Sequence, residues 1–551
     1  MKSTSSAIWW IKSPKKTSKR AIKKRKQSVG ARFSNDMTDL FRNISMHAYG
    51  KLVDNTLNVW EKLIWLAVHL TTMFTLFTIL SLIWEQFVAQ YIVINLSNPL
   101  YPIESVAFPS ISICSNNRIS RQAALAYAKE LSAKDLQGRS VEYFMEHLKF
   151  FIHFYQKFDM DVDAEAFSNF QALLDKYDTY ENDTFYDTRR VAEMLTPTCE
   201  SLIRNCKLSG VEVECFSRKT FQKSLTTYGF CCTFNTGNFY NNRKMRDQFV
   251  NSELGLTVVL NTSHKDDFMS LLNIDGYIVI VHDSDIFADT TSGESHELFI
   301  TYGEESFLAL HALLVYTEPN LSSFSPHTRK CYFEDEFSLY TTRTQWNYSF
   351  SNCVTRCRIR SIMALCRCIP FYMDTTLLSD KDGAIYCTLQ HVPCLLSYKF
   401  KWNNVLTHRE FVPGLQRAYE EALYCPECLP ACNDIQYGVS FMALPIDRFL
   451  ATTTKAELDN IGLDLEEMSV LRIHFDEPYA KYYKRVVGNT WFEALCTVGN
   501  VTSIFLGFSI VAAFEIGFFA TKYLILAIRS AISQDHKEGK KKDEMQLYIC
   551  P

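Results

Sequence analysis

Near the carboxyl end the chain reads SIFLGFSIVAAFE, from Ser503 to Glu515. Gly507, Ser509 and Glu515 give this apolar run a residue without a Cβ, a hydroxyl and a carboxylate. Gly499, Ser503 and Gly507 stand four apart, which suits close helix contact, the ordinary use of small residues in a membrane span. An acid near a span end can reach toward the interface. Geometry limits this reading. At about 100° per residue, Ser509 and Glu515 would face about 120° apart on a straight helix. Either Glu515 has another role, or the backbone breaks near Gly507-Phe508-Ser509. Gly507 permits unusual dihedrals, and broken backbone is tolerated in a membrane where it lines water.

The other chemistry in the chain lies in its cysteines. There are 18, and all but Cys496 and Cys550 fall between Cys114 and Cys432. Sixteen cysteines in one segment read as a disulfide framework in an oxidising compartment. Cys366-Arg-Cys368 and Cys425-Pro-Glu-Cys428 resemble zinc spacings but lack His partners, so they too are assigned to disulfides. The same segment carries sequons at Asn95, Asn182, Asn261, Asn320 and Asn347, candidates for glycosylation in an extracellular segment. No Gly-rich phosphate loop, HExxH or GxSxG elbow is present, so no enzyme, cofactor or metal site is expected. Glu334-Asp335-Glu336 is a candidate proton-sensing cluster, although a charge run is usually a solvated face.

These residues need elements to position them. Leu63 to Trp84 contains no Asp, Glu, Lys or Arg and is long enough for a hydrocarbon core that needs about 20 helical residues. Ala494 to Phe514 is a second uncharged run, extendable through IGFFA. Basic residues precede the first span (KSPKKTSKRAIKKRKQSVGAR) and follow the second, which puts both termini in the cytoplasm. The expected organisation is a basic cytoplasmic tail over 1–62, a first transmembrane helix over 63–84 and a Cys-rich extracellular domain over 85–493. A second transmembrane helix over 494–520 and a cytoplasmic tail over 521–551 follow. A formal net charge of −4 suggests no nucleic-acid partner.

Period-two alternation predicts strands at 108–114, 256–261, 277–283, 436–445 and 471–475. Helical composition marks 120–194, including SRQAALAYAKELSAK and AEAFSNFQALLDKY, and LQRAYEEALY further on. The fold class is an α+β membrane protein, with two transmembrane helices flanking a disulfide-rich domain that has a sheet core and helical insertions.

Several motifs, in order, now carry a resemblance. Phe108-Pro109-Ser110-Ile111-Ser112-Ile113-Cys114 follows the first span, and Tyr228-Gly229-Phe230-Cys231-Cys232-Thr233-Phe234-Asn235 forms a second box. Cys353-Val354-Thr355-Arg356-Cys357 leads to Cys366-Arg367-Cys368, and Leu506-Gly507-Phe508-Ser509 is followed by Glu515. Together they resemble the degenerin/epithelial sodium channel family, most closely its insect pickpocket branch. The resemblance spans more than four hundred residues.

The resemblance implies a finger insertion near 120–200 and a thumb near 331–432. It implies the disulfides Cys206–Cys215, Cys114–Cys231, Cys331–Cys432, Cys353–Cys428, Cys357–Cys425, Cys366–Cys394 and Cys368–Cys387, which leaves Cys199 and Cys232 to pair with each other. It implies a plasma-membrane, homo- or hetero-trimeric, amiloride-sensitive sodium channel, gated by an extracellular chemical or mechanical stimulus and used in sensation. Gly507, Phe508 and Ser509 would form the selectivity filter and Glu515 an acidic inner ring, with sodium permeating and membrane lipid as surroundings. The extracellular ligand is not implied. A two-span Cys-rich receptor or auxiliary subunit without its own pore is the alternative. Three positions depart from the family pattern or bear on gating. His47 is followed by Ala48 where the family has glycine, with Gly50 two residues on. Phe508 stands where many relatives have a small residue. Cys496 occupies the position where bulky residues hold family channels open.

Overall fold

The computed structural model describes residues 37–89, 92–155, 163–178, 186–217, 220–236, 249–261, 264–334, 336, 348–378, 385–408, 411–446, 468–488 and 490–546. Residues 92–487 form one compact unit, and the terminal segments 1–91 and 488–551 form a second.

The larger unit is built on two sheets. The first contains β1 (Ile92–Pro102), β4 (Ile203–Leu208), β5 (Val211–Val213), β8 (Leu256–Asn261), β12 (Glu304–Thr317), β15 (Asp434–Pro445), β16 (Met468–Phe475) and β17 (Tyr479–Val487). Its order is β1-β17-β12-β16-β8-β4-β5, with β15 also paired along β12. The long β12 runs parallel to β16 along its first half and to β17 along its second. The other sheet, β11-β10-β2-β7-β6, contains β2 (Ser110–Ser115), β6 (Phe221–Thr226), β7 (Gly229–Phe234), β10 (Gly276–His282) and β11 (His296–Thr301). β3 (Asn117–Ser120) pairs with β9 (Asp267–Ser270), and β13 (Val405–Leu406) with β14 (Leu423–Tyr424).

Strand alternation divides the core. Ile111 and Ile113 of β2, with Tyr277, Val279 and Val281 of β10, pack with Val258, Leu260, Leu308, Leu471 and Ile473 of the larger sheet. The intervening Ile278 and Ile280 pack with Cys114, Cys231 and Ile152 in a separate cluster. β10 is therefore buried along its whole length, which is why GYIVIVH is nearly continuous in apolar residues.

Beyond the sheets lie helices α2 (Arg121–Lys134), α3 (Val141–Leu148), α4 (Ala164–Tyr177), α5 (Thr188–Leu195) and α6 (Phe350–Cys366). Their starts are set by side-chain caps: Ser120, Ser140, Asp163, Asp187 and Ser349 each accept a backbone N–H from the first turn. Leu131, Phe144, Phe170 and Leu174 join Ile359, Phe371 and Trp402 in one core. The stretch LQRAYEEALY yields a shorter helix than its composition promises, Gln416–Glu421, because Leu423 and Tyr424 leave it to form β14.

In the terminal unit, α1 (Val59–Ala89) packs on α7 (Trp491–Leu506), and α8 (Ile510–Gln546) follows after a gap. The segments Val59–Val88 and Ile510–Arg529 are long and apolar enough to cross a bilayer. The uncharged run 494–514 is not one helix: it is interrupted at residues 507–509.

Candidate functional site

The interruption is written in local sequence. Thr490 and Glu493 form a reciprocal capping box at the start of α7, with bonds of 3.2 and 2.9 Å. The helix ends when Gly507 turns into the left-handed region at φ 66°, its N–H donating to the Ser503 carbonyl at 2.8 Å. Two residues later Ser509 starts α8, where its Oγ accepts from the Ala512 N–H at 3.2 Å. Gly-x-Ser is thus a helix stop followed at once by a helix start. The break spans 507–509, and α8 runs without interruption from Ile510 through Glu515.

Glu515 has a partner from the other end of the chain. Its Oε2 accepts from the Ser45 N–H at 2.9 Å and from Ser45 Oγ at 2.7 Å. Along the same stretch, the His47 N–H donates to the Leu506 carbonyl at 3.0 Å, filling one of the acceptors that a helix end leaves open. A Cβ built on Gly507 would lie 2.8 Å from Cγ of the His47 ring. Further along α8, Asp39 lies 3.7 Å from Lys522 Nζ and accepts from the Tyr523 hydroxyl at 3.1 Å. The segment from Asp39 to His47 therefore runs antiparallel to the first part of α8 and ends at the helix break. Tyr49 stacks on His69 of α1 with centroids 4.5 Å apart, and Lys51 Nζ lies 4.1 Å from the Trp65 ring centre. Between these anchors Ala48 adopts φ 55°, ψ 11°, the left-handed region that its methyl disfavours. Cys496 is an exposed free thiol in α7, and Phe508 sits in the break, 36% exposed.

The motif strands of the larger unit are neighbours. β2 pairs with β7 through Ile111↔Phe234, Ser112↔Thr233 and Ile113↔Cys232. Cys114 is bonded to Cys231, and Cys199 to Cys232. Cys206 is bonded to Cys215 and Cys331 to Cys432. Two turn-spaced cysteines of α6 bond to one loop, as Cys353–Cys428 and Cys357–Cys425, while Cys366–Cys394 and Cys368–Cys387 staple its far end.

Behind this ladder Arg358 and Asp289 form a buried ion pair. Asp289 also accepts from Thr355 Oγ1 and from the backbone and hydroxyl of Thr291, and Arg358 Nε donates to the Trp402 carbonyl. Burial opposes the Asp289 charge, but the guanidinium and these donors hold its carboxyl below the ordinary range.

Asn95 and Asn320 are exposed, whereas Asn182 and Asn347 lie outside the described residues. Asn261 is 8% exposed and its Nδ2 donates to the Ser201 carbonyl at 3.1 Å, so the folded chain does not offer this nitrogen to a glycan. Among the described residues no group of three or more His, Cys, Asp or Glu side chains suits a metal ion.

Of the acidic run at 334–336, Asp335 lies outside the described residues, and Glu334 and Glu336 have different surroundings. Glu336 pairs with Arg329, while Glu334 lines a cavity of about 440 Å³ with Asp283, Glu294 and Asp434. Desolvation, with the charges of Asp434 and Asp283, pushes Glu294 up to about 7 against its bond from the Ser351 N–H. These carboxylates are far apart in sequence, so no local signal announced them.

A two-span α+β chain with a disulfide-rich domain and a broken second span is the class that this geometry defines. A profile of the family described as "Amiloride-sensitive sodium channel" matches residues 40–519. "Sodium channel protein Nach" of Drosophila ananassae is 22% identical over 87% of this chain and 85% of its own length. "Pickpocket protein 19" of Drosophila melanogaster is 22% identical over 91% of this chain and 93% of its own. "Bile acid-sensitive ion channel" of Mus musculus is 22% identical over 89% and 88%. The chain belongs to the amiloride-sensitive sodium channel family and, within it, to the insect pickpocket branch. The family is one of ion channels, not enzymes.

Proposed function

We propose that the chain is a subunit of a sodium-selective, amiloride-sensitive cation channel, gated by an extracellular chemical or mechanical stimulus and serving sensation. The observation that carries this reading is the helix break at Gly507-Phe508-Ser509 inside the second apolar segment, because open backbone at that depth belongs beside water. Three subunits, identical or related, surround the pore in the plasma membrane, with both termini in the cytoplasm.

Backbone carbonyls at the break and the Ser509 hydroxyl replace part of the ion's water shell. Ser509 Oγ spends one acceptor position on the Ala512 N–H and keeps another for a cation. Glu515 keeps its full negative charge while it holds Ser45, since both donors are neutral, and so favours cations on the inner side. The docked segment 39–47 supports the break from below.

Expression alone and with related subunits, followed by recording of amiloride-sensitive sodium current, tests the reading. Glu515→Gln and Ser509→Cys are expected to change selectivity or conductance. Unchanged permeation in both variants overturns the filter assignment. Absence of current in every subunit combination, with uptake of lipid or ligand, turns the reading to a two-span receptor or auxiliary subunit.

A further inference from the structure

We propose that Ser45 is a phosphorylation site, and that its phosphate undocks the segment 39–47 from α8. Ser45 is exposed, and its N–H and Oγ–H are both spent on a single oxygen, Oε2 of Glu515. Three residues earlier stands Arg42, also exposed, within Arg42-Asn43-Ile44-Ser45. An arginine at this spacing is what basophilic Ser/Thr kinases read, because their acidic subsites pair with a guanidinium ahead of the acceptor.

In the transfer, Ser45 Oγ attacks the γ-phosphorus of ATP. The new O–P bond forms as the bond from that phosphorus to the bridging oxygen of ADP breaks. The hydroxyl proton passes to the kinase's base, and ADP leaves. The esterified Oγ has no proton to give Glu515, and the phosphate carries about −1.5 to −2 charge near neutral pH. Facing a carboxylate, that charge repels where the hydroxyl had bonded, so the docked geometry cannot be rebuilt. Arg42 then offers the phosphate a cationic partner in the free segment.

Ser45 is two residues from His47, whose N–H holds the Leu506 carbonyl and whose ring lies against Gly507. Release of Ser45 therefore loosens the support of the helix break. The plainer role for Ser45 is a fixed tether, and this differs in one measurable respect. If docking guards the hydroxyl, removal of the Glu515 carboxylate must speed phosphorylation. The effect on current rests on the channel reading, but the labelling does not.

The test uses the detergent-solubilised full chain, ATP and the catalytic subunit of a cAMP-dependent protein kinase. Phosphate on Ser45 is read in the tryptic peptide 43–51, which becomes 33–51 in Arg42→Ala because trypsin no longer cuts after residue 42. Ser45 is expected to be labelled in the wild type. Arg42→Ala should slow labelling by about tenfold or more, and Glu515→Ala should speed it severalfold, as loss of a charged subsite contact and of a charged hydrogen bond imply. No phosphate on 43–51 in either the wild type or Glu515→Ala overturns the site, and equal rates in the two overturn the guarding by Glu515. In cells, Ser45→Asp should lower current several times more than Ser45→Ala, because both lose the hydroxyl and only Asp adds charge. Equal currents in Ser45→Asp and Ser45→Ala overturn the undocking. Labelling with the expected Glu515 dependence, but no current in any form, upholds the site and sinks the channel reading instead.

Discussion

The His47 ring lies against Gly507 so closely that a methyl group on Gly507 would meet its Cγ and Nδ1 at 2.8 Å. The amino-terminal segment and the helix break thus fit each other only while residue 507 has no side chain. Gly507 also holds φ 66°, so two separate constraints select glycine there.

Gly507→Ala should therefore fail for two reasons. The left-handed conformation costs about 1–2 kcal/mol for an L-residue, and the contact with His47 adds a steric cost. Sodium current measured at equal surface expression should fall at least tenfold, in line with roughly 1.4 kcal/mol of lost stability of the working geometry. His47→Ala combined with Gly507→Ala should recover part of the loss. A double variant no better than Gly507→Ala would show that the contact carries no cost.

Ala48 occupies a conformation that suits glycine, at φ 55°. Ala48→Gly should relieve about 1 kcal/mol of backbone strain and favour the docked segment. Current from the variant should rise, by up to about fivefold if docking limits opening. Limited proteolysis of the 39–51 segment, slowed in the variant, provides a readout that does not depend on permeation. Gly50, a natural candidate for the same role from its position, is in the short helix Tyr49–Val53 and not at the left-handed turn.

Arg358 and Asp289 are buried together at 3% and 0% exposure. Asp289→Ala should destabilise the extracellular unit by about 3–5 kcal/mol by stranding the guanidinium. The combined change Asp289→Leu with Arg358→Met should cost less than either single truncation, since no buried charge is left behind. Thermal unfolding of the purified chain, followed by loss of secretory-pathway exit in cells, checks the order.

Glu294 makes stability depend on pH. Its folded value of about 7 lies above the ordinary 4.5. Between these two values the folded chain holds more protons than the unfolded one, so this group's contribution is fully present below about 4.5 and is lost as pH rises through 7. The shift corresponds to roughly 3 kcal/mol. Unfolding temperature measured from pH 5 to pH 8 should fall more steeply in the wild type than in Glu294→Gln. Parallel curves would exclude Glu294 as the source.

The motifs were legible because each is a local physical device. Alternation at SISIC and GYIVIVH gives strands, and uncharged apolar runs give spans. The starts of α7 and α8 were also present as local signals, a capping box at Thr490-Glu493 and a Gly-x-Ser stop and start, although hydropathy alone reads straight across them. The sequence by itself determined that the second span needed a break or a second role for Glu515, since residue spacing on a helix is invariant.

Only the tertiary structure decided that both occur together. Ser45 and Glu515 are separated by 470 residues, and no spacing rule reaches that far. The same holds for Asp289 with Arg358 and for the carboxylates around Glu294, whose properties come from desolvation and from neighbours that the fold supplies. Local sequence sets where the backbone must bend. Which distant group then meets the bend is settled by packing.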